Sequence, residues 1–258
     1  MKKYLYSYQY ITRFLKPVFW HSYLLRITPQ ENCFLKVMQK SVFLEPQGKM
    51  NSDKDFWGNE ILYGTLMDSH SGFTYVSSGI VEQTAEYCIP DEGNVALYRV
   101  PTSLTQMNPA MEDFLQGLKL EGTVVEQALT LSHALHHFME YVPQSTQNGT
   151  RAAEAFLQKK GVCQDYAHIL LAFCRACGMA ARYVCGLIEG EGSTHAWVEV
   201  YAEDHCWWGI DPTHDLKITT GYIKIAQGRD VNDCPVNRGQ YRGFTQEECL
   251  VRVIVNEI

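Results

Sequence analysis

A cysteine opens the most helix-prone stretch of the chain, and three strand-like segments follow it at short intervals. From Tyr166 to Ala176 the sequence reads YAHILLAFCRA, with neither Gly nor Pro, and Gly178 supplies a C-terminal stop. Gly161 permits a tight approach, so Cys163 falls at or just before the first helical turn. Residues 183–188, YVCGLI, read as a strand, and HAWVEVY from His195 alternates as a half-buried strand does. GEGST at 190–194 joins the two as a hairpin turn. Cys206-Trp207-Trp208-Gly209-Ile210 make another short apolar strand. Asp211 ends it, and Pro212 bars simple continuation in a central ladder.

Upstream, helices are expected near 110–119, over 123–142, near 150–160, and then at the cysteine. Strands dominate from 182 to the final CLVRVIVNEI. Helices first and an antiparallel sheet after is an α+β arrangement. Residues 4–27 and 32–44 carry aromatic and β-branched runs punctuated by Pro17, Pro29 and Pro46, and 58–67 and 72–88 read as strands around turns. This predicts an N-terminal antiparallel β domain over 1–95, Cys88 to Asn94 as the linker, and a second domain over 96–258.

Cys163, His195 and Asp211 are the candidate catalytic residues. The thiolate, not the thiol, is the nucleophile. The free N–H groups and positive dipole end of a helix start favour a negative sulfur by roughly 0.3–1 kcal/mol, and a neighbouring imidazolium favours it further. The same N–H groups are placed to hold an oxyanion. Between Cys163 and His195 there is room for one helix and two strands, and Asp211 follows one strand later. From that adjacent strand its carboxylate can reach the far nitrogen of His195, fixing the tautomer and stabilising the imidazolium.

GVCQDYAH, THAWVEVY and GIDPTH resemble the three signature blocks of the transglutaminase-like superfamily, and more closely those of its bacterial branch, usually described as cysteine proteases. Gly228-Arg229-Asp230 and the run from Asp233 to Gly239 also resemble that branch. The likeness covers about residues 100–243 and is weaker over 1–90, where Trp57-Gly58-Asn59 resembles the branch's N-terminal domain. The resemblance implies a papain-like core, with the nucleophile on Cys163, the base on His195 and the orienting acid on Asp211. It implies amide or peptide hydrolysis through a thioester. Transfer of the acyl group to an amine, or a catalytically silent binding module, are the alternatives. The expected partner is a peptide, protein or small amide substrate. No cofactor or metal is required, and nothing in the sequence supports the calcium dependence of animal relatives.

Other constellations are weaker. Cys174 and Cys177 have CxxC spacing, but lie inside the helix without a second ligand pair. His133, His136 and His137 share a helical stretch without an HExxH pattern, which favours a solvated face over a metal site. Asp53 and Asp55 lack a calcium-loop pattern. Gln164 and Asp165 are read as capping or structural hydrogen-bonding groups. Trp197, Trp207 and Trp208 are read as core. A net charge of −7 argues against nucleic acid. No run of apolar residues is long enough for a membrane span, and YLYSYQYITRFLK after the first lysines is no signal peptide. Nine scattered cysteines, an odd number, suit free thiols and a cytoplasmic location better than a disulfide framework.

Overall fold

The computed structural model describes residues 1–91, 93 and 95–258. The first strand governs its N-terminal half. β1 (Lys2–Leu25) buries Tyr4, Tyr6, Tyr8, Thr12, Phe14 and Val18, all even positions. It then buries His21, Tyr23 and Leu25, all odd. Strand side chains alternate with period two, so the inward face changes phase between Val18 and His21. The cause lies in that interval: Pro17 donates no ladder hydrogen bond, and Trp20 sits at φ 51 in a left-handed kink.

The kink lets one strand serve two sets of neighbours. β2 (Leu35–Glu45), β3 (Met50–Lys54), β4 (Glu60–Leu66) and β5 (His70–Gln83) follow it. β5 pairs with the first part of β1, from Lys2 to Arg13, and β2 with β5. β4 pairs with its last part, from His21 to Leu25, and β3 with β4. β6 (Cys88–Pro90) comes next, so the expected linker begins as a strand; Glu92 and Asn94 lie outside the described residues.

The helical layer is α1 (Pro109–Gln116), α2 (Val124–Phe138), β7 (Glu140–Tyr141), α3 (Ala152–Gln158), β8 (Lys160–Gly161) and α4 (Cys163–Ala176). Asn108 caps α1, accepting from the Met111 N–H, and a capping box between Thr123 and Glu126 starts α2. α4 is buried from Asp165 to Arg175 and packs against α2 and α3 on one side and the second sheet on the other.

That sheet contains β9 (Ala181–Ile188), β11 (His195–Tyr201), β12 (Cys206–Asp211), β13 (Leu216–Lys217) and β14 (Tyr222–Gly228) in the order β13-β12-β11-β9-β14, with β6 added along β12. Between β9 and β11, β10 (Gly190–Gly192) leaves for the other sheet. The last strands, β15 (Asn237–Arg242) and β16 (Glu247–Glu257), pair with the two parts of β1, and β16 also pairs with β10. The α+β fold is as expected. The first sheet, however, draws on both ends of the chain, and Gly190–Gly192 is a short strand rather than only a turn.

One face of the second sheet carries a buried polar cluster. Glu199 accepts hydrogen bonds from Tyr87 and Arg182, and from Lys224 at 2.8 and 3.0 Å. Burial pushes the Glu199 carboxyl up, but the charges of Arg182 and Lys224 outweigh it and hold the group down at about 2. Burial, and then Arg182, pull the Lys224 ammonium down to about 7. Trp197 and Trp207 are fully buried on the same face, the latter beneath the Arg182 guanidinium at 4.0 Å.

Gly186 lies opposite His195 in the ladder. A Cβ there would meet the Ile223 carbonyl oxygen and the Trp197 ring, each at 2.3 Å. Gly186→Ala is therefore expected to destabilise the protein by about 1–3 kcal/mol, the usual cost of overpacking. Urea unfolding measures it, and an unchanged midpoint contradicts this packing.

Candidate active site

Cys163 is the first residue of α4, with Val162 as N-cap in extended conformation. Local chemistry fixes this start. The Asp165 carboxylate reaches back to accept from the Val162 N–H at 2.8 Å and from the Thr146 hydroxyl at 2.5 Å. Gly161 is required because a Cβ would come within 2.7 Å of the Asp165 side chain. The parallel pairing of β7 with β8 anchors the approach to the helix. Gln164 points away and donates to the Asn148 carbonyl at 3.1 Å. Both residues beside the cysteine thus perform the structural hydrogen bonding expected of them.

His195 opens β11 and Asp211 ends β12. Both are buried, and His195 Nε2 lies 2.8 Å from Asp211 Oδ2. With Nε2 engaged, Nδ1 remains free to address the thiol of Cys163, which lines the same cleft. Burial disfavours charge on His195. Asp211, bonded to the ring, and the neighbouring Cys163 outweigh it and raise the imidazole to about 9. The structure thus brings the three expected residues together.

Asp211 has more partners than the sequence suggested. Oδ2 also accepts from Tyr222 Oη and His214 Nδ1, each at 2.7 Å, and Oδ1 accepts from the backbone N–H groups of Thr213 and His214. Burial opposes the charge, but the bonds from His195, His214 and Tyr222 prevail and hold the carboxyl well below the usual range. His214 was visible in the GIDPTH block without a role; its ring lies 5.1 Å from that of His195. Tyr222 comes from β14, two strands from the β11 that carries His195, and no motif announced it.

Cys163 and His195 line a cleft of about 470 Å³. It is also lined by Tyr141, Thr213, His214 and the segment Glu189–Thr194. A larger concavity of about 850 Å³ on the β1, β3, β4 and β15 face is lined by no Cys or His. All nine cysteines are free. Burial pushes Cys174 up to about 12, which suits core packing rather than the redox chemistry of a CxxC pair. Trp197, Trp207 and Trp208 are buried, as expected of core residues.

A helix-borne thiol facing a strand-borne imidazole is the arrangement of papain-like folds. Residues 112–212 match the Transglutaminase-like superfamily model, and residues 4–82 match the Bacterial transglutaminase-like N-terminal region. The chain belongs to the transglutaminase-like superfamily. It is 34% identical over 248 residues to an uncharacterized protein of Mycobacterium tuberculosis, covering 83% of this chain and 79% of that one. It is 27% identical over 154 residues to a protein-glutamine gamma-glutamyltransferase of Pseudomonas aeruginosa, covering 52% of this chain and 23% of that protein. Its fold matches the crystal structure of a "putative cysteine protease" from Cytophaga hutchinsonii with a TM-score of 0.83 and 20% identity, over 100% of this chain and 91% of that one. No helix among the described residues is long and apolar enough to cross a membrane.

The raised His195 has a thermodynamic signature. A raised folded-state pKa stabilises fully below the unfolded value, about 6.5, and that contribution is lost as pH rises through about 9. The stability advantage of wild type over Asp211→Asn is expected to narrow across this window by up to about 3 kcal/mol. Thermal unfolding at a series of pH values measures it, and a constant difference contradicts the coupling.

Proposed function

We propose that the protein is a cysteine-dependent acyl-transfer enzyme that hydrolyses an amide or peptide bond. The observation that carries this reading is the hydrogen bond from His195 to Asp211, with the Cys163 thiol and the His195 imidazole lining one cleft.

The Cys163 thiolate attacks the carbonyl carbon. The oxyanion forms beside the first backbone N–H groups of α4, which have no carbonyl one turn back to bind. Such preorganised donors are typically worth about 2.7–4 kcal/mol of barrier each. As the C–N bond breaks, the His195 imidazolium protonates the departing amine, leaving a thioester on Cys163. Neutral His195 then takes a proton from water, which attacks the thioester and releases the acid. The thiolate and imidazolium are thereby restored. Asp211 touches no substrate atom in this scheme; it fixes the ring so that Nδ1 faces the sulfur, and it stabilises the charge His195 carries. Tyr222 and His214 hold the carboxylate in turn.

An amine in place of water at the second step makes a new amide. The similarity to a protein-glutamine gamma-glutamyltransferase favours including this second reading. The two differ only in the acceptor.

Incubation with a panel of peptide and carboxamide substrates, followed by intact-mass analysis, tests the proposal. An acyl adduct on Cys163 is expected, decaying in water for hydrolysis or faster on adding amines for transfer. Cys163→Ala is expected to form no adduct while keeping the fold, and iodoacetamide at mildly acidic pH is expected to label Cys163 ahead of the exposed Cys33 and Cys249. Turnover that survives Cys163→Ala removes the mechanism.

A further inference from the structure

Outside the cleft, α2 and the turn after β12 bring together two imidazoles and a carboxylate. His133 and His137 stand one helical turn apart on α2, with ring centroids 4.2 Å apart. Asp215 follows the Asp211 turn in the left-handed conformation, φ 53, and its Oδ2 lies 2.7 Å from His133 Nδ1. One ligand atom from each of the three lies within 4.8 Å of the others. We infer that His133, His137 and Asp215 form a binding site for a zinc-class divalent transition metal.

The donors are already prepared for such an ion. His137 Nδ1 lies 2.9 Å from the His133 carbonyl and donates its proton there. That fixes the tautomer and leaves the lone pair on Nε2, the arrangement typical of metal-ligating histidines. Both histidines are exposed, so small side-chain adjustments can bring the donors to the separation of about 3.3 Å that tetrahedral zinc needs. The short contact between His133 and Asp215 already draws two of the three together. Two imidazoles and a carboxylate suit zinc and its neighbours, whereas calcium and magnesium take oxygen ligands. Solvent completes the coordination.

A second cluster, Cys88, Asp204 and Cys206, is less suited. Both Asp204 oxygens are engaged, by the Cys206 N–H at 3.1 Å and the Trp208 indole at 3.0 Å. The third, His195, Asp211 and His214, belongs to the cleft. An ion at His133, His137 and Asp215 ties α2 to the turn that begins at Asp211. The Pro212 carbonyl of that turn already lies 3.3 Å from His136 Nδ1.

Titration of the full chain with zinc chloride and with cobalt chloride tests the site, in a Cys163→Ala background that removes the cleft thiol. A single equivalent of zinc is expected to bind and to raise the thermal midpoint. Cobalt is expected to give ligand-field bands without thiolate charge transfer. The double variant His133→Ala/His137→Ala, and separately Asp215→Asn, which keeps a residue tolerant of the left-handed turn, are expected to weaken zinc binding at least about tenfold. Cys88→Ser is expected to bind as before. Absence of zinc binding, binding unmoved by the His133/His137 and Asp215 variants, or a cobalt–thiolate band overturns the inference.

Discussion

Glu199 holds together the sheet on which the candidate site is built. From β11 its buried carboxylate binds Arg182 on the neighbouring β9 and Lys224 on β14 beyond it, and receives the Tyr87 hydroxyl from the segment leading into β6. A buried carboxylate without such partners is costly, so these elements are fixed relative to one another by the requirement to satisfy it. His195 lies on the same face of the same strand, four residues away. Its position is therefore a consequence of a charge arrangement that never touches the cleft.

Asp211 repeats the logic at the edge of the cleft. Five donors converge on one carboxylate, and they come from β11, β14 and the turn that Asp211 itself begins. Donors from several directions make its orientation independent of any single side chain. The imidazole inherits that orientation, and the sulfur meets it from α4, whose start is set separately by Asp165 and Gly161. Two rigid elements carry the candidate reacting groups, which favours a constant distance between them over one set by loop motion.

Much of this was legible in the sequence because the information was local. YAHILLAFCRA announced α4, the alternation in HAWVEVY announced β11, and the Asp-Pro step marked the end of β12. What stayed hidden depended on pairing between distant residues. Nothing within Gly190–Gly192 reveals that it lies beside Val253–Val255, and nothing in Cys88–Pro90 reveals that it extends β12. Tyr222 reads as one more strand aromatic until the ladder β12-β11-β9-β14 curls its hydroxyl onto Asp211. The contact of His133 with Asp215 could not be read from the histidines of α2, because Asp215 lies far along the chain.

The pairing of β10 with β16 has a consequence for access. Glu191, which lines the cleft with Cys163, is paired through β10 into the sheet organised by β1. A cleft wall held in that way is a jamb rather than a shutter. The width of the opening beside Cys163 on that side is then set by the fold rather than by the movement of a free loop.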